Sequence, residues 1–249
     1  MNELIFLRVS TFIFAVLTIG TLSVSSPTHA SDQDSQKLVF ATTTFPPFTI
    51  HDNPDTPLPG YINELVIQAF KQSGKEAAFK ILPWKRANQL ALDGKVTGTF
   101  RSTKTEKDED EFFYSKPFSS LQSVFFASDH TLLTSISTID DLKDKKVVAN
   151  LGYSLSRILT AKNIAHEQAR NSESALKQIF GGRAEIYYAY EAPVMWTYNQ
   201  MRQQENLPEL QKKPVAELPY YLIISKKVQS GDRLISLFDT AIANMKTSG

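Results

Sequence analysis

The 249-residue chain has no cysteine. That excludes a disulfide framework, a thiolate metal site and a cysteine nucleophile. It also excludes a lipid-bearing cysteine behind a leader peptide, so a free protein is expected rather than a tethered one. An excess of one charge is missing too: 27 Lys and Arg face 26 Asp and Glu. Nucleic-acid binders normally concentrate basic charge, so that class is set aside. Beyond residue 30 no apolar run approaches the roughly 20 residues that span a bilayer, and the mature chain is expected to be soluble. No Ser/His/Asp set stands out, and His51, His130 and His166 have no helical or metal-ligand spacing. No metal or cofactor is therefore expected. Internal repeats and low-complexity tracts are also absent.

What is present begins with a leader-like segment. Arg8 precedes an apolar run over 9–24, and Thr28 and Ala30 fit the small-residue positions before a signal-peptidase cut. The run is shorter than a membrane span and no basic stop-transfer flank follows it, since Asp32 and Asp34 come next. Cleavage after Ala30 is expected, giving a periplasmic protein. Removing Glu3 and Arg8 with residues 1–30 leaves 26 basic and 25 acidic side chains in 219 residues.

After Lys37, short β-rich runs alternate with amphipathic helical ones. The pattern predicts strands over 38–41, 78–82 and 97–100. The prolines of 52–60 mark a loop between the first of them and a helix. That helix carries Ile62, Leu65, Val66, Ala69 and Phe70 at helical spacing, with Gly74 at its end. A second helix is predicted over 85–92. This order implies a parallel sheet covered by helices. Ligands of such sheets bind beyond the carboxyl ends of the strands, here at 42–48, 83–86 and 100–105. A second unit follows, with strands over 123–127, 146–151, 184–188 and 220–225. Helices are expected from Gly152-Tyr153-Ser154, with Ser154 as N-cap, from Asn171-Ser172, from Ala192-Pro193, and over 234–245. The fold class read from this is α/β in two lobes. One lobe comprises 37–122 with 222–249 and the other 123–221, with hinge segments near 120–129 and 215–225.

Several local signatures recur in order: Phe45-Pro46-Pro47-Phe48, Gly60-Tyr61, Pro83-Trp84-Lys85-Arg86-Ala87, Asp93-Gly94-Lys95-Val96, Tyr114-Ser115-Lys116-Pro117-Phe118, and Gly182-Arg183-Ala184-Glu185. Through them the chain resembles the periplasmic solute-binding proteins of family 3, the polar-amino-acid type, over nearly all of 37–249. The resemblance implies a type II periplasmic binding fold whose lobes hinge shut over a small polar ligand. Each lobe would supply half of the polar contacts, so the ligand would favour closure. It also implies delivery to an ABC transporter permease or a membrane sensor, with a monomer as the default state.

Candidate ligand contacts follow from both sources. The resemblance makes Phe45 the aromatic that stacks on the ligand; a core aromatic beside two prolines is the plainer alternative. Trp84 stands where it would wall the pocket, and Arg86 where it would grip a carboxylate in bidentate fashion or simply face solvent. In amino-acid binders of this family an arginine three residues after Thr105 holds the α-carboxylate. Asp108 stands there instead, and an anion repels an anion. Arg101 would bring a guanidinium back into the same loop, with Thr103 adding a hydroxyl, and 104–111 reads as a solvated charged face. Tyr153 and Ser154 would present a helix N-terminus, which favours anions and carbonyl oxygens. Tyr190 occupies the usual place of the acid that binds an ammonium group, leaving Glu191 as a substitute. The resemblance also admits an enzyme, because some exported dehydratases share the fold and would use a carboxyl such as Glu191 as general acid. A third alternative is an interaction protein that no longer binds a solute.

Overall fold

The computed structural model describes residues 37–50 and 60–248. The leader at 1–30 and most of the proline-rich loop fall outside them. Along the chain the elements are β1 Leu38–Thr42, α1 Tyr61–Gln72, β2 Ala77–Ile81, α2 Trp84–Leu92, β3 Gly98–Arg101, α3 Glu106–Glu111, β4 Phe112–Tyr114 and β5 Ser119–Ala127. There follow α4 His130–Thr134, a 3-10 turn at Ile139–Leu142, β6 Val147–Asn150, α5 Ser154–Ala161, β7 His166–Ala169, α6 Ser172–Phe180, β8 Ile186–Tyr190, α7 Glu191–Arg202, β9 Gln211–Ser225 and α8 Gly231–Ser248.

Nine strands form one curled sheet among the described residues, in the order β2-β1-β3-β9-β5-β8-β6-β7, with β4 also on β9. β1 pairs in parallel with both β2 and β3, as the helical crossovers α1 and α2 require. β6 likewise runs parallel to β7 and β8. The two parallel sections meet through the antiparallel pair β5 and β9. The last residues of β9 leave β5 and pair with β3 and β4. One 15-residue strand is thus shared by both sections of the two-lobed α/β fold.

Period-2 alternation sorts the strand side chains between cores. In β8, Ile186, Tyr188 and Tyr190 face the large core that also holds Phe40, Phe70 and Phe238. Tyr187 and Ala189 face a separate core beneath α6 and α7, with Val124 and Phe126 of β5. α1 buries Ile62, Val66, Ala69 and Phe70, four of the five residues its spacing singled out, while Leu65 is half-buried. Phe70 meets Phe238 of α8 at 5.8 Å between ring centroids.

Several boundaries differ from expectation. β8 is displaced by two residues and ends on Tyr190, so the helix after it begins at Glu191. The N-cap of α5 is Tyr153, and Ser154 is the first helical residue. The run 104–111, read as a solvated charged face, contains α3, started by Thr105, whose hydroxyl accepts from the Asp108 amide, and it buries Asp108. β9 begins nine residues before 220, and β4, β7 and α4 were not expected at all.

Candidate binding cleft

A cavity of about 40 Å³ lies where the carboxyl ends of β1, β3 and β8 approach the start of α5. Of the residues singled out in the sequence, Phe45, Trp84, Arg101, Tyr153 and Ser154 line it. Arg86 and Glu191 do not.

Phe45 is held by a short antiparallel bridge in which its backbone exchanges hydrogen bonds with Thr49 at 2.8 and 2.9 Å. Its ring stacks on Phe48 at 5.1 Å and meets Tyr153 and Tyr190 edge-on at 5.9 and 5.8 Å. Phe45 is therefore both core and wall. Trp84, at the first position of α2, reaches the other section of the sheet, where its Nε1 donates to the Gly152 carbonyl at 3.0 Å. Two residues on, Arg86 is exposed.

Arg101 and Asp108, the two positions that depart from the family pattern, are paired with each other. Arg101 Nη1 lies 3.2 Å from Asp108 Oδ1, with the side chains 4% and 10% exposed. Nη2 donates to Asn88 Oδ1 at 2.7 Å, and the guanidinium lies over the Phe112 ring. Burial pulls the Arg101 pKa down, and the charge of Asp108 opposes that pull. Arg101 Nε and Asp108 Oδ2 are buried without a hydrogen-bond partner. Arg101 is thus not the free guanidinium that a ligand carboxylate was expected to meet.

Hydroxyl groups supply most of the remaining polarity. Ser102 Oγ shares a 2.6 Å hydrogen bond with Tyr190 Oη and donates to Ser154 Oγ at 3.2 Å. Thr103, just outside the cavity lining, donates to Ser154 Oγ at 3.4 Å. Burial pushes the Tyr190 hydroxyl up to about 12, against the lowering effect of its bonds to Ser102 and Ser154. It raises Tyr153 and Tyr220 as well. Neither of those two hydroxyls has a hydrogen-bond partner among the described residues. Neither hydroxyl is sealed from water without a partner, so both stay open to water or to the polar atoms of a solute.

Sequence reasoning missed Ser102, Tyr220 and Arg157, and treated Tyr190 only as a lost acid. Arg157 follows Ser154 by three residues on one helical face, a spacing that brings side chains together. Its Nη2 lies 3.3 Å from Ser154 Oγ and 3.4 Å from Thr103 Oγ1. Glu191, by contrast, forms an ion pair with Lys212. It lines a wider groove of about 610 Å³ beside Phe48, Tyr61 and Met195. Among the described residues no group of three or more His, Cys, Asp or Glu is placed to hold a metal ion.

The family model described as bacterial extracellular solute-binding proteins, family 3, matches residues 38–249. No curated protein matches the chain. Among solved structures, a histidine kinase sensor domain with similarity to periplasmic binding proteins superposes with a TM-score of 0.73 at 16% identity, covering 87% of this chain and 93% of its own. An ancestral arginine-binding protein bound to arginine gives 0.67 at 21%, covering 85% and 92%. The GluR0 ligand-binding core from Nostoc punctiforme, in complex with L-glutamate, gives 0.66 at 21%, covering 85% and 94%. At these identities the likeness is one of fold.

Proposed function

The chain belongs to the bacterial extracellular solute-binding proteins of family 3, and from that premise we propose that it captures a small polar solute between its lobes and presents it to an ABC transporter or a membrane sensor. In this reading residues 1–30 are an export leader and the mature protein works in the periplasm as a monomer. The lobes are 37–122 with 222–249, and 123–221. They are joined through segments 120–129 and 215–225, which overlap β5 and β9.

The observation that carries the reading is the cavity itself. It is walled from one side by Phe45, Trp84 and Ser102 and from the other by Tyr153, Ser154 and Tyr190. Neither half encloses a solute alone, so binding energy is gained only when the halves meet. Phe45 and Trp84 supply apolar walls, Ser102 and Ser154 hydroxyl contacts, and Thr103 the rim. Arg86 and Glu191 would contribute at most to the approach. A sensor as recipient draws support from the sensor-domain likeness, and a transporter from family membership.

A thermal-shift screen of amino acids, small peptides, carboxylates and polyamines tests the proposal. A binder is stabilised as RT ln(1 + [L]/Kd), about 2.7 kcal/mol at a hundredfold excess over Kd. At least one compound should raise the Tm of the mature protein in a concentration-dependent way. A flat response across the library would overturn solute capture.

A further inference from the structure

The cavity is walled by rings and hydroxyls, and its charge is already balanced. Six aromatic side chains line it: Phe45, Trp84, Phe100, Tyr153, Tyr190 and Tyr220. Trp84 meets Tyr153 at 73°, Tyr153 meets Phe45 at 74° and Phe45 meets Tyr190 at 87°. Neighbouring rings thus stand nearly perpendicular, as the walls of a box do. No carboxylate lines the cavity among the described residues. Arg101 does line it, but its guanidinium is held by Asp108 at 3.2 Å and by Asn88 at 2.7 Å. That pair presents no net charge to a solute. Arg157 stands outside the lining and is exposed, where water and salt screen its charge.

The remaining polar side chains are neutral. The hydroxyls of Ser102, Ser154 and Tyr190 bond to one another. Burial pushes the hydroxyls of Tyr153, Tyr190 and Tyr220 up, so all three stay protonated at ordinary pH. A hydroxyl both donates and accepts, which matches a solute hydroxyl or amide and cannot offset a full charge. Between aromatic walls, a charge taken from water without a counter-charge is costly. Ring faces attract a cation, but the guanidinium of Arg101 opposes it. An anion would have Asp108 behind that same guanidinium. The start of α5 brings only a partial charge, which a carbonyl or hydroxyl oxygen satisfies.

We infer that the cleft selects an uncharged solute bearing hydroxyl or amide groups, and that Tyr190 is the residue that sets this preference. The inference rests on the solute-capture reading and names its ligand class. Tyr190 ends β8 and reaches across the cleft to Ser102 at 2.6 Å. A carboxylate at that place would put a full negative charge between the halves, whereas the phenol puts a neutral oxygen there. The polar groups of the solute exchange hydrogen bonds with Tyr190, Ser102 and Ser154, and its carbon frame lies against Phe45 and Trp84.

The test uses two sets of compounds matched in frame and differing in charge. Lactamide is uncharged, L-lactate an anion, L-alaninamide a cation and L-alanine a zwitterion. D-glucose, D-glucuronate and D-glucosamine repeat the contrast on a larger frame. In calorimetric titration of the mature protein, the uncharged member should bind at least about tenfold tighter than any charged member of its set. A tenfold weaker zwitterion still raises the Tm at tenfold higher concentration, so the thermal-shift screen remains a separate test of capture. Tyr190→Phe keeps the ring and should weaken the uncharged member by about fivefold or more, as loss of a hydrogen bond does. Tyr190→Asp should reverse the order in favour of the ammonium-bearing member, a change that a merely structural role would not produce. A charged member binding as tightly as its uncharged counterpart would overturn the ligand class and leave solute capture standing. So would binding confined to the charged compounds of the thermal-shift library. Unchanged affinity and order in both variants would remove Tyr190 from the inference. Silence toward both sets and the whole library would overturn both readings.

Discussion

Arg101 and Asp108 illustrate how two altered residues acquire meaning only as a pair. Each alone would be a charge buried in an apolar wall beside Phe112 and Tyr114. Together, with Asn88, they form a nearly neutral unit. Removing one partner of a buried ion pair typically costs about 3–5 kcal/mol, because the other charge remains buried, whereas replacing both by apolar residues is often neutral. Asp108→Ala should therefore lower the urea midpoint strongly, and the double variant Arg101→Met with Asp108→Leu should recover most of the loss. A double variant as unstable as the single one would show that the pair does more than cancel charge. The cavity tyrosines give a second expectation at this scale. Below pH about 10 the Tyr190 hydroxyl is neutral whether the chain is folded or unfolded. Above that the unfolded form ionises while burial holds the folded form neutral up to about 12. Stability is thus fully present below pH 10 and falls as pH rises through that window. Urea midpoints measured across it should drop, and Tyr190→Phe should make the drop shallower.

At the scale of elements, the close approach of β3 and β9 depends on a missing side chain. A Cβ on Gly98 would lie 2.0 Å from the Ile223 carbonyl oxygen, on the strand that both parts of the sheet share. Gly98→Ala should then cost more than the about 1–3 kcal/mol usual for overpacking, because backbone rather than a flexible side chain must yield. Chemical denaturation would measure it, and wild-type stability would contradict the register of that pair. The elements legible in the sequence were those with periodic apolar faces, such as α1 and the buried strands β1, β3 and β6. Others carried no such signal. The first part of β9 holds Lys212, Lys213 and Glu217 with two prolines, a composition that reads as loop. Pro214 fits there because it pairs at an irregularity opposite Val124, and because β3 and β4 meet only the later residues of β9. α3 has no apolar periodicity and exists through the Thr105 cap. At the cleft, Phe45 and Trp84 were legible as aromatics after strand ends. The pairing of Arg101 with Asp108, and that of Ser102 with Tyr190, were not. The first depends on how α3 folds back onto the end of β3, and the second on the approach of the carboxyl end of β3 to that of β8, a strand it does not pair with.

For the whole molecule, the two sides of the cleft are joined by few bonds: Trp84 to Gly152 at 3.0 Å, Ser102 to Tyr190 and Ser154 at 2.6 and 3.2 Å, and Thr103 to Ser154 and Arg157 at 3.4 Å each. Each contributes about 1 kcal/mol net, which is comparable to the small differences that separate open and closed populations in hinged proteins. A single such bond therefore shifts the ratio of the two states by about fivefold. Trp84→Phe keeps the aromatic wall and loses the indole donor. If closure is required to hold a solute, the apparent affinity falls with the fraction of closed protein, so Trp84→Phe should weaken binding by up to about fivefold with little change in unfolding midpoint. Trp196, the other tryptophan of the chain, lines a neighbouring groove rather than the cavity. Trp196→Phe should retain affinity and leave Trp84 as the sole indole fluorophore. Its emission should then shift and become less accessible to a soluble quencher as solute is added, with the same midpoint as calorimetric binding. A solute that binds by calorimetry yet leaves Trp84 emission and quenching unchanged would mean that the halves do not move when the cleft fills.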